Sequence, residues 1–236
     1  MSTNGGAWLG ASGGYSMVVL EAFDLYRFYH TRDDETRALR GVSLHVDAGD
    51  LVALVGPSGS GKSTLLACLA GLDEPDGGCV TLLGRRLTRR PEAERAAMRA
   101  AGIGILLQSG NLFDHLSVED NVALGMRLAG KFDARRLSEV IAAVGLHGRR
   151  RARPSRLSGG EAARAGLAVA LAAAPVVLLA DEPTGEVDAE TEAEILNLFD
   201  TRRRAGGATL IATHSDALAA RADRIIRLLD GRVVDA

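Results

Sequence analysis

The sequence predicts an α/β protein: a mainly parallel sheet covered by helices, an antiparallel β part toward the N-terminus, and a helical segment inserted in the middle. Three observations predict this. Compact apolar runs at 51–55, 103–107 and 176–180 have the composition of strands buried on both faces. Helical patterns at 63–70, 91–101, 160–173 and 189–204 separate those runs. From 116 to about 145 the apolar spacing turns helical and strand signals disappear.

In chain order, residues 1–16 are rich in Gly, Ser and Ala and read as a flexible tail, so the structured domain is taken as 17–236. Strands are expected at 17–24, 42–46 and 51–55. A glycine-rich turn follows at 56–61, then a helix over 63–70 closed by Gly71. The turn signal at 73–78 precedes a strand at 79–83, and Pro91 sits near the first turn of the 91–101 helix. Pro175 separates the 160–173 helix from the 176–180 strand. A strand at 209–213 and a hairpin over 224–234, turned at Asp230-Gly231, complete the chain.

Composition bounds the function. With 236 residues, 47% hydrophobic and 25% charged, the chain can bury a sizeable core as one large domain or two small ones. A formal net charge of −2 gives no general case for binding nucleic acid. Two cysteines, Cys68 and Cys79, exclude a disulfide scaffold and a cysteine-built zinc site, and both read as small core residues. The most apolar uncharged stretch, 165–180, falls short of the roughly 20 residues of a spanning helix. No basic, apolar leader opens the chain. A cytosolic protein is expected, or one held at a membrane through a partner.

Residues Gly56-Pro57-Ser58-Gly59-Ser60-Gly61-Lys62-Ser63 fit the pattern G-x-x-x-x-G-K-[ST], with a buried strand before and a helix after. The glycines permit torsions closed to other residues, so successive N–H groups point inward around phosphate, and the helix N-terminus adds positive potential. Lysine occurs only at positions 62 and 131, so Lys62 stands out in an arginine-rich chain. It supplies a point charge for phosphate; the Ser63 hydroxyl suits Mg²⁺, and Thr64 follows at the helix start. These residues make the core that of a P-loop NTPase binding a nucleoside triphosphate. The strand at 176–180 runs directly into Asp181-Glu182, placing two carboxylates at the ligand end of an open α/β sheet. Asp181 suits the Mg²⁺ shell, and Glu182 could polarise a water for attack on the γ-phosphate.

Leu157-Ser158-Gly159-Gly160-Glu161 precedes that strand. With it, the chain resembles the nucleotide-binding subunits of ABC (ATP-binding cassette) transporters. The family's motifs stand in its order: the phosphate loop, Gln108 after an apolar strand, the LSGG signature, the acidic strand, the D-loop Gly185-Glu186-Val187-Asp188, and His214 within Ile211-Ala212-Thr213-His214-Ser215. The resemblance covers roughly 17–234. It is nearer to cassettes serving permeases of the lipoprotein-releasing, macrolide-exporting and cell-division type, through residues 56–66, Glu161 and residues 178–185.

The resemblance implies ATP and Mg²⁺ as ligands and a helical subdomain at about 109–165. Tyr29 would stack on adenine; the alternative is a core aromatic beside Tyr26 and Phe28. Gln108 would touch Mg²⁺ and the attacking water, the alternative being an ordinary polar strand-end residue. His214 would hold the γ-phosphate, or else be a satisfied strand-end histidine. Two subunits, expected to be identical, would pack head-to-tail. Ser158, Gly159 and Gly160 would then meet the partner's ATP, with Asp188 helping to join the two. A transmembrane permease would dock on the helical region, with Leu112, Phe113 and Leu116 as an anchor or as part of that region's own core. The chain would then lie on the cytoplasmic side of the membrane. The chain departs from the resembled pattern in three places: Ala162-Ala163-Arg164 stands where that subgroup usually has a glutamine-rich stretch, Val169 where it usually has an arginine, and Glu186 where it commonly has asparagine.

Arg149, Arg150, Arg151, Arg153 and Arg156 form a basic run, read as a solvated loop rather than a nucleic-acid or lipid contact because aromatic interleaving is absent. Two other function classes stand beside the transport motor. A DNA-maintenance ATPase shares the signature but carries long inserted arms or zinc modules, which are missing here. A small-molecule P-loop kinase would not need the signature or the Glu182–His214 pair.

Overall fold

The computed structural model describes residues 17–30, 35–185 and 187–235; the tail at 1–16 and Glu186 lie outside them. Among the described residues the strands are β1 (Val18–His30), β2 (Glu35–Asp47), β3 (Leu51–Val55), β4 (Gly77–Leu82), β5 (Arg85–Arg86), β6 (Ile103–Leu106), β7 (Val177–Asp181), β8 (Ala208–Ala212), β9 (Arg224–Leu229) and β10 (Arg232–Asp235). The helices are α1 (Lys62–Leu69), α2 (Glu92–Gly102), α3 (Val118–Leu128), α4 (Ala134–Ala143), α5 (Gly159–Leu171), α6 (Ala189–Arg204) and α7 (Asp216–Ala219).

Two sheets form. One runs β10-β9-β3-β8-β7-β6 and is parallel except for the antiparallel β9–β10 edge; the other runs β2-β1-β4-β5 and is antiparallel. The parallel sheet is buried on both faces, which is why its strands read as unbroken apolar runs. In β7, Val177 and Leu179 pack into the core shared with α1 and the antiparallel sheet. Leu178 and Ala180 pack on the opposite face against Ile195 and Phe199 of α6. A third apolar cluster joins α3, α4 and the middle and end of α5 through Val122, Met126, Leu137, Ile141, Ala165 and Ala168.

Strands β1 and β2 extend well beyond the expected 17–24 and 42–46. The inward phase of β1 passes from Leu20 and Ala22 to Leu25 across a register shift, and Asp24 sits there at φ +51°. That bulge breaks the period of two on which the shorter reading rests. Its effect is to carry β1 onward to Tyr29, paired with Thr36. Cys68 is buried as expected, and burial pushes its thiol up to about 12; Cys79 is only half-buried, so it is not a core residue.

The basic run is not a free loop. Arg149 pairs with Glu161, Arg150 pairs with Glu119, and the carbonyls of Arg150 and Ala152 accept the N–H groups of Glu119 and Val118 at the start of α3. The Asp230-Gly231 turn has φ +47° and +73°, as a two-residue hairpin requires. It also serves the site. Gly231 N–H donates to the Ser60 carbonyl (3.0 Å), and the Gly231 carbonyl accepts from Arg40 N–H (2.8 Å).

Candidate nucleotide site

A cleft of about 1320 Å³ opens at the carboxyl end of the parallel sheet, where an open α/β sheet places its ligands. Its floor is the phosphate loop between β3 and α1. Gly61 stands at the N-cap of α1 with φ +103°, and a Cβ there would lie 2.4 Å from the Ala38 carbonyl oxygen. A Cβ on Gly56 would lie 2.1 Å from the Leu228 carbonyl oxygen. Both glycines are therefore required by close backbone approach. Gly59, at φ +77°, has nothing within 4 Å of its missing Cβ, so the loop faces open space. Ser58, Gly59, Gly61, Lys62, Ser63 and Thr64 line the cleft, whereas Gly56 packs against the Leu228 carbonyl and Ser60 is buried behind the loop. The Ser60 hydroxyl is buried without a hydrogen-bond partner among the described residues.

Lys62 is 7% exposed. Its Nζ donates to the carbonyls of Gly56 (2.8 Å) and Pro57 (3.1 Å) and lies 3.4 Å from His214 Nε2. Across the cleft, β7 delivers Asp181 as its last residue, and Glu182 follows at φ +48°. A left-handed glutamate costs about 1–3 kcal/mol and persists where its surroundings fix it. Here the Glu182 N–H donates to the Ala212 carbonyl (2.9 Å), and Oε2 accepts the His214 N–H (3.2 Å). Oε1 lies 3.4 Å from His214 Nε2 and, though buried, has no hydrogen-bond partner among the described residues. A buried carboxylate oxygen left unsatisfied is costly and expects a partner from the cleft. Lys62, His214 and Glu182 thus form a continuous line from the phosphate loop to the acidic strand.

Gln108 is exposed just after β6 and lines the same cleft. The loop behind it is held by Asn111, whose side chain accepts from Leu107 N–H (2.8 Å) and donates to the Leu107 carbonyl (2.6 Å). Tyr29 reaches the cleft from β1 and is 38% exposed. Its hydroxyl donates to Asp73 (2.7 Å), and the Arg27 guanidinium carbon lies 4.6 Å from the ring centroid. Burial and the bond to Asp73 raise the Tyr29 pKa, so the ring is a neutral phenol. Tyr29 is therefore clamped at the cleft edge and is not a core residue.

Ser158 and Asp188 lie elsewhere. Ser158 N-caps α5 in a capping box: its hydroxyl accepts Glu161 N–H (3.2 Å), and Glu161 accepts Ser158 N–H (2.9 Å). Asp188 N-caps α6 by accepting Thr191 N–H (2.8 Å), which holds its carboxyl below the usual range. Gly160 packs on Thr191, where a Cβ would meet the hydroxyl at 2.6 Å. Ser158, Gly160 and Asp188 do not line the cleft of their own chain; Gly159 does, at its edge.

Residues at 36–40 and the Asp230-Gly231 turn also line the cleft, and sequence reasoning did not place them there. No local motif marks Ala38. The turn residues carried a clear hairpin signal but no sign of what the hairpin rests on.

For a magnesium nucleotide the donors fit. Ser63 and Asp181 offer oxygens to the cleft. Among the described residues no cluster of three or more His, Cys, Asp or Glu side chains could hold a metal by itself. The two cleft oxygens suit Mg²⁺, which keeps waters and binds through one or two protein oxygens plus substrate phosphates.

Fold and site together define a P-loop nucleotide-hydrolysing cassette. A profile of the ABC transporter family matches residues 39–185, and the chain belongs to that family. The chain is 42% identical over 222 residues to the lipoprotein-releasing system ATP-binding protein LolD of Maricaulis maris, covering 92% of this chain and 97% of that one. It is 41% identical to the macrolide export ATP-binding/permease protein MacB of Chlorobium luteolum, covering 92% of this chain but only 33% of that longer protein. Among solved structures it resembles a dimeric ATP-binding cassette in a post-hydrolysis state, bound to ADP and Pi. The TM-score is 0.87 at 30% identity, with 92% of this chain and 97% of that one covered. Among the described residues no helix is long and apolar enough to cross a membrane.

Proposed function

We propose that the chain is the ATP-hydrolysing motor subunit of a transporter, closing as a homodimer around two ATP molecules and driving a separate transmembrane permease from the cytoplasmic side of the membrane. The observation that carries this is the meeting of the phosphate-loop Lys62, His214 and Glu182 at one cleft, with His214 Nε2 3.4 Å from both Lys62 Nζ and Glu182 Oε1.

In this reading ATP lies on the 56–64 loop with adenine against the exposed face of Tyr29. Lys62 leaves its loop carbonyls for the β- and γ-phosphates. Ser63, Gln108 and Asp181 would hold Mg²⁺, which would supply charge neutralisation at the phosphates. Glu182 Oε1 accepts a proton from water as that water attacks the γ-phosphorus; the bond to the ADP oxygen breaks, giving ADP and phosphate. His214, fixed through its N–H to Glu182, reaches the γ-phosphate. Ser158, Gly159 and Gly160 of one subunit meet the γ-phosphate of the other, which accounts for the absence of Ser158 and Gly160 from their own cleft. Asp188 stands at the same interface. The residues at about 109–165 act as a helical subdomain that takes Gln108 at one end and the signature at the other, and the permease docks there. The match to LolD and MacB favours this over a DNA-maintenance ATPase.

The test is a pair of variants. Glu182→Gln keeps ATP affinity within about threefold and loses hydrolysis by at least roughly a hundredfold, because the amide cannot take the proton. Lys62→Ala instead weakens ATP binding itself. Near-normal turnover by Glu182→Gln removes that residue from the mechanism.

A further inference from the structure

The signature helix α5 carries a charge that opposes its expected task. Glu161 stands in its first turn, and its capping bond brings the carboxylate back over Ser158 N–H. The macrodipole of a helix is worth about half a positive charge at the N-terminus. One full negative charge in the same turn more than cancels it. A polyanionic ligand approaching that end would then meet net repulsion.

The structure answers this with Arg149. Its Nε donates to Glu161 Oε1 at 2.8 Å, while Oε2 is taken by Ser158 N–H, so both carboxylate oxygens are engaged. Among the described residues Glu161 has no other ion-pair partner: Arg164 is committed to Glu194 and Arg150 to Glu119. Arg149 is itself placed by the 3-10 turn His147–Arg149, where its N–H donates to the Leu146 carbonyl and its carbonyl accepts Ala152 N–H. The loop docks on α3 through Val118 and Glu119. The guanidinium is therefore delivered to Glu161 by a folded element.

We propose that Arg149 is a positioning residue of the dimer interface: it neutralises Glu161, so that the N-terminus of α5 stays positive toward the ATP held by the partner subunit. This rests on the reading that the signature receives the partner's γ-phosphate. It assigns a task to the first arginine of the basic run, and that task is charge compensation rather than contact with nucleic acid or lipid.

The experiment uses the full chain in the Glu182→Gln background. The dimer dissociation constant is measured by sedimentation at saturating Mg-ATP, and ATP affinity is measured at protein concentrations where the chain is monomeric. Arg149→Gln weakens the dimer roughly fivefold, the upper end for an exposed ion pair, and leaves monomer ATP affinity unchanged. Arg149→Lys keeps the charge and stays within about twofold of the parent. In a Glu161→Gln chain, where the charge to be neutralised is gone, adding Arg149→Gln changes nothing further. An Arg149→Gln dimer as tight as the parent overturns the proposal, and so does a loss that persists undiminished beside Glu161→Gln, which would mark Arg149 as merely structural. If the parent itself forms no ATP-dependent dimer, the dimer reading fails and this proposal falls with it.

Discussion

Glycine 61 is held by two constraints at once. Its φ of +103° suits only glycine, and a Cβ would lie 2.4 Å from the Ala38 carbonyl oxygen. A methyl group there forces the loop off β2 at the point where Lys62 must point into the cleft. Gly61→Ala is expected to lower ATP affinity at least tenfold while the melting temperature falls by only a few degrees, since α1 stays buried through Leu65, Leu66 and Leu69. Isothermal titration with ATP beside a thermal melt checks this. At this scale the sequence was largely legible: the spacing of Gly56, Gly61, Lys62 and Ser63 specified a strand–loop–helix, and Asp181-Glu182 named the opposing wall. The setting of Glu182 beside His214 and the tie of Tyr29 and Arg27 to Asp73 were not, because both depend on contacts between residues more than 30 positions apart.

The elements follow local signals where those signals are strong. Helix α6 spans the expected 189–204 because Asp188 caps it, acids fill its first turn and three arginines fill its last. Helix α5 begins one residue before the expected position, at Gly159, fixed by its capping box. Ser158→Ala removes the hydroxyl that accepts Glu161 N–H and is expected to cost about 1 kcal/mol, read as a fall in denaturant midpoint at unchanged m-value. The same variant should weaken ATP-dependent dimerisation without altering ATP binding by the monomer. Where the sequence misled, a long-range cause is visible. The bulge in β1 reverses its inward phase, and the two-residue β5 and four-residue α7 are too short to carry a period. Val169, half-buried on α5, packs beside the α3–α4–α5 cluster, so an apolar residue suits that position.

For the whole molecule, coupling requires that events at Gln108 reach the helices that follow it. The segment leading into α3 is tied down on one side, since Asn121 binds the backbone of Phe113, Leu116 and Ser117. Leu112 packs against the α3–α4–α5 cluster, but Phe113 is 56% exposed and touches His115 edge-on. Phe113 is thus the exposed apolar side chain of this segment and, in the proposed reading, the one a permease would meet. Phe113→Asp is expected to leave ATP affinity unchanged and to abolish most of the permease-stimulated turnover measured with a partner permease reconstituted in lipid. Equal stimulation of the variant and the parent moves the docking surface elsewhere. The central claim is that two copies of this chain close around ATP, each completing the other's site. Its most direct test is light scattering of Glu182→Gln with and without Mg-ATP. The account predicts a monomer without nucleotide and twice that mass with it; a strict monomer in both conditions would contradict it.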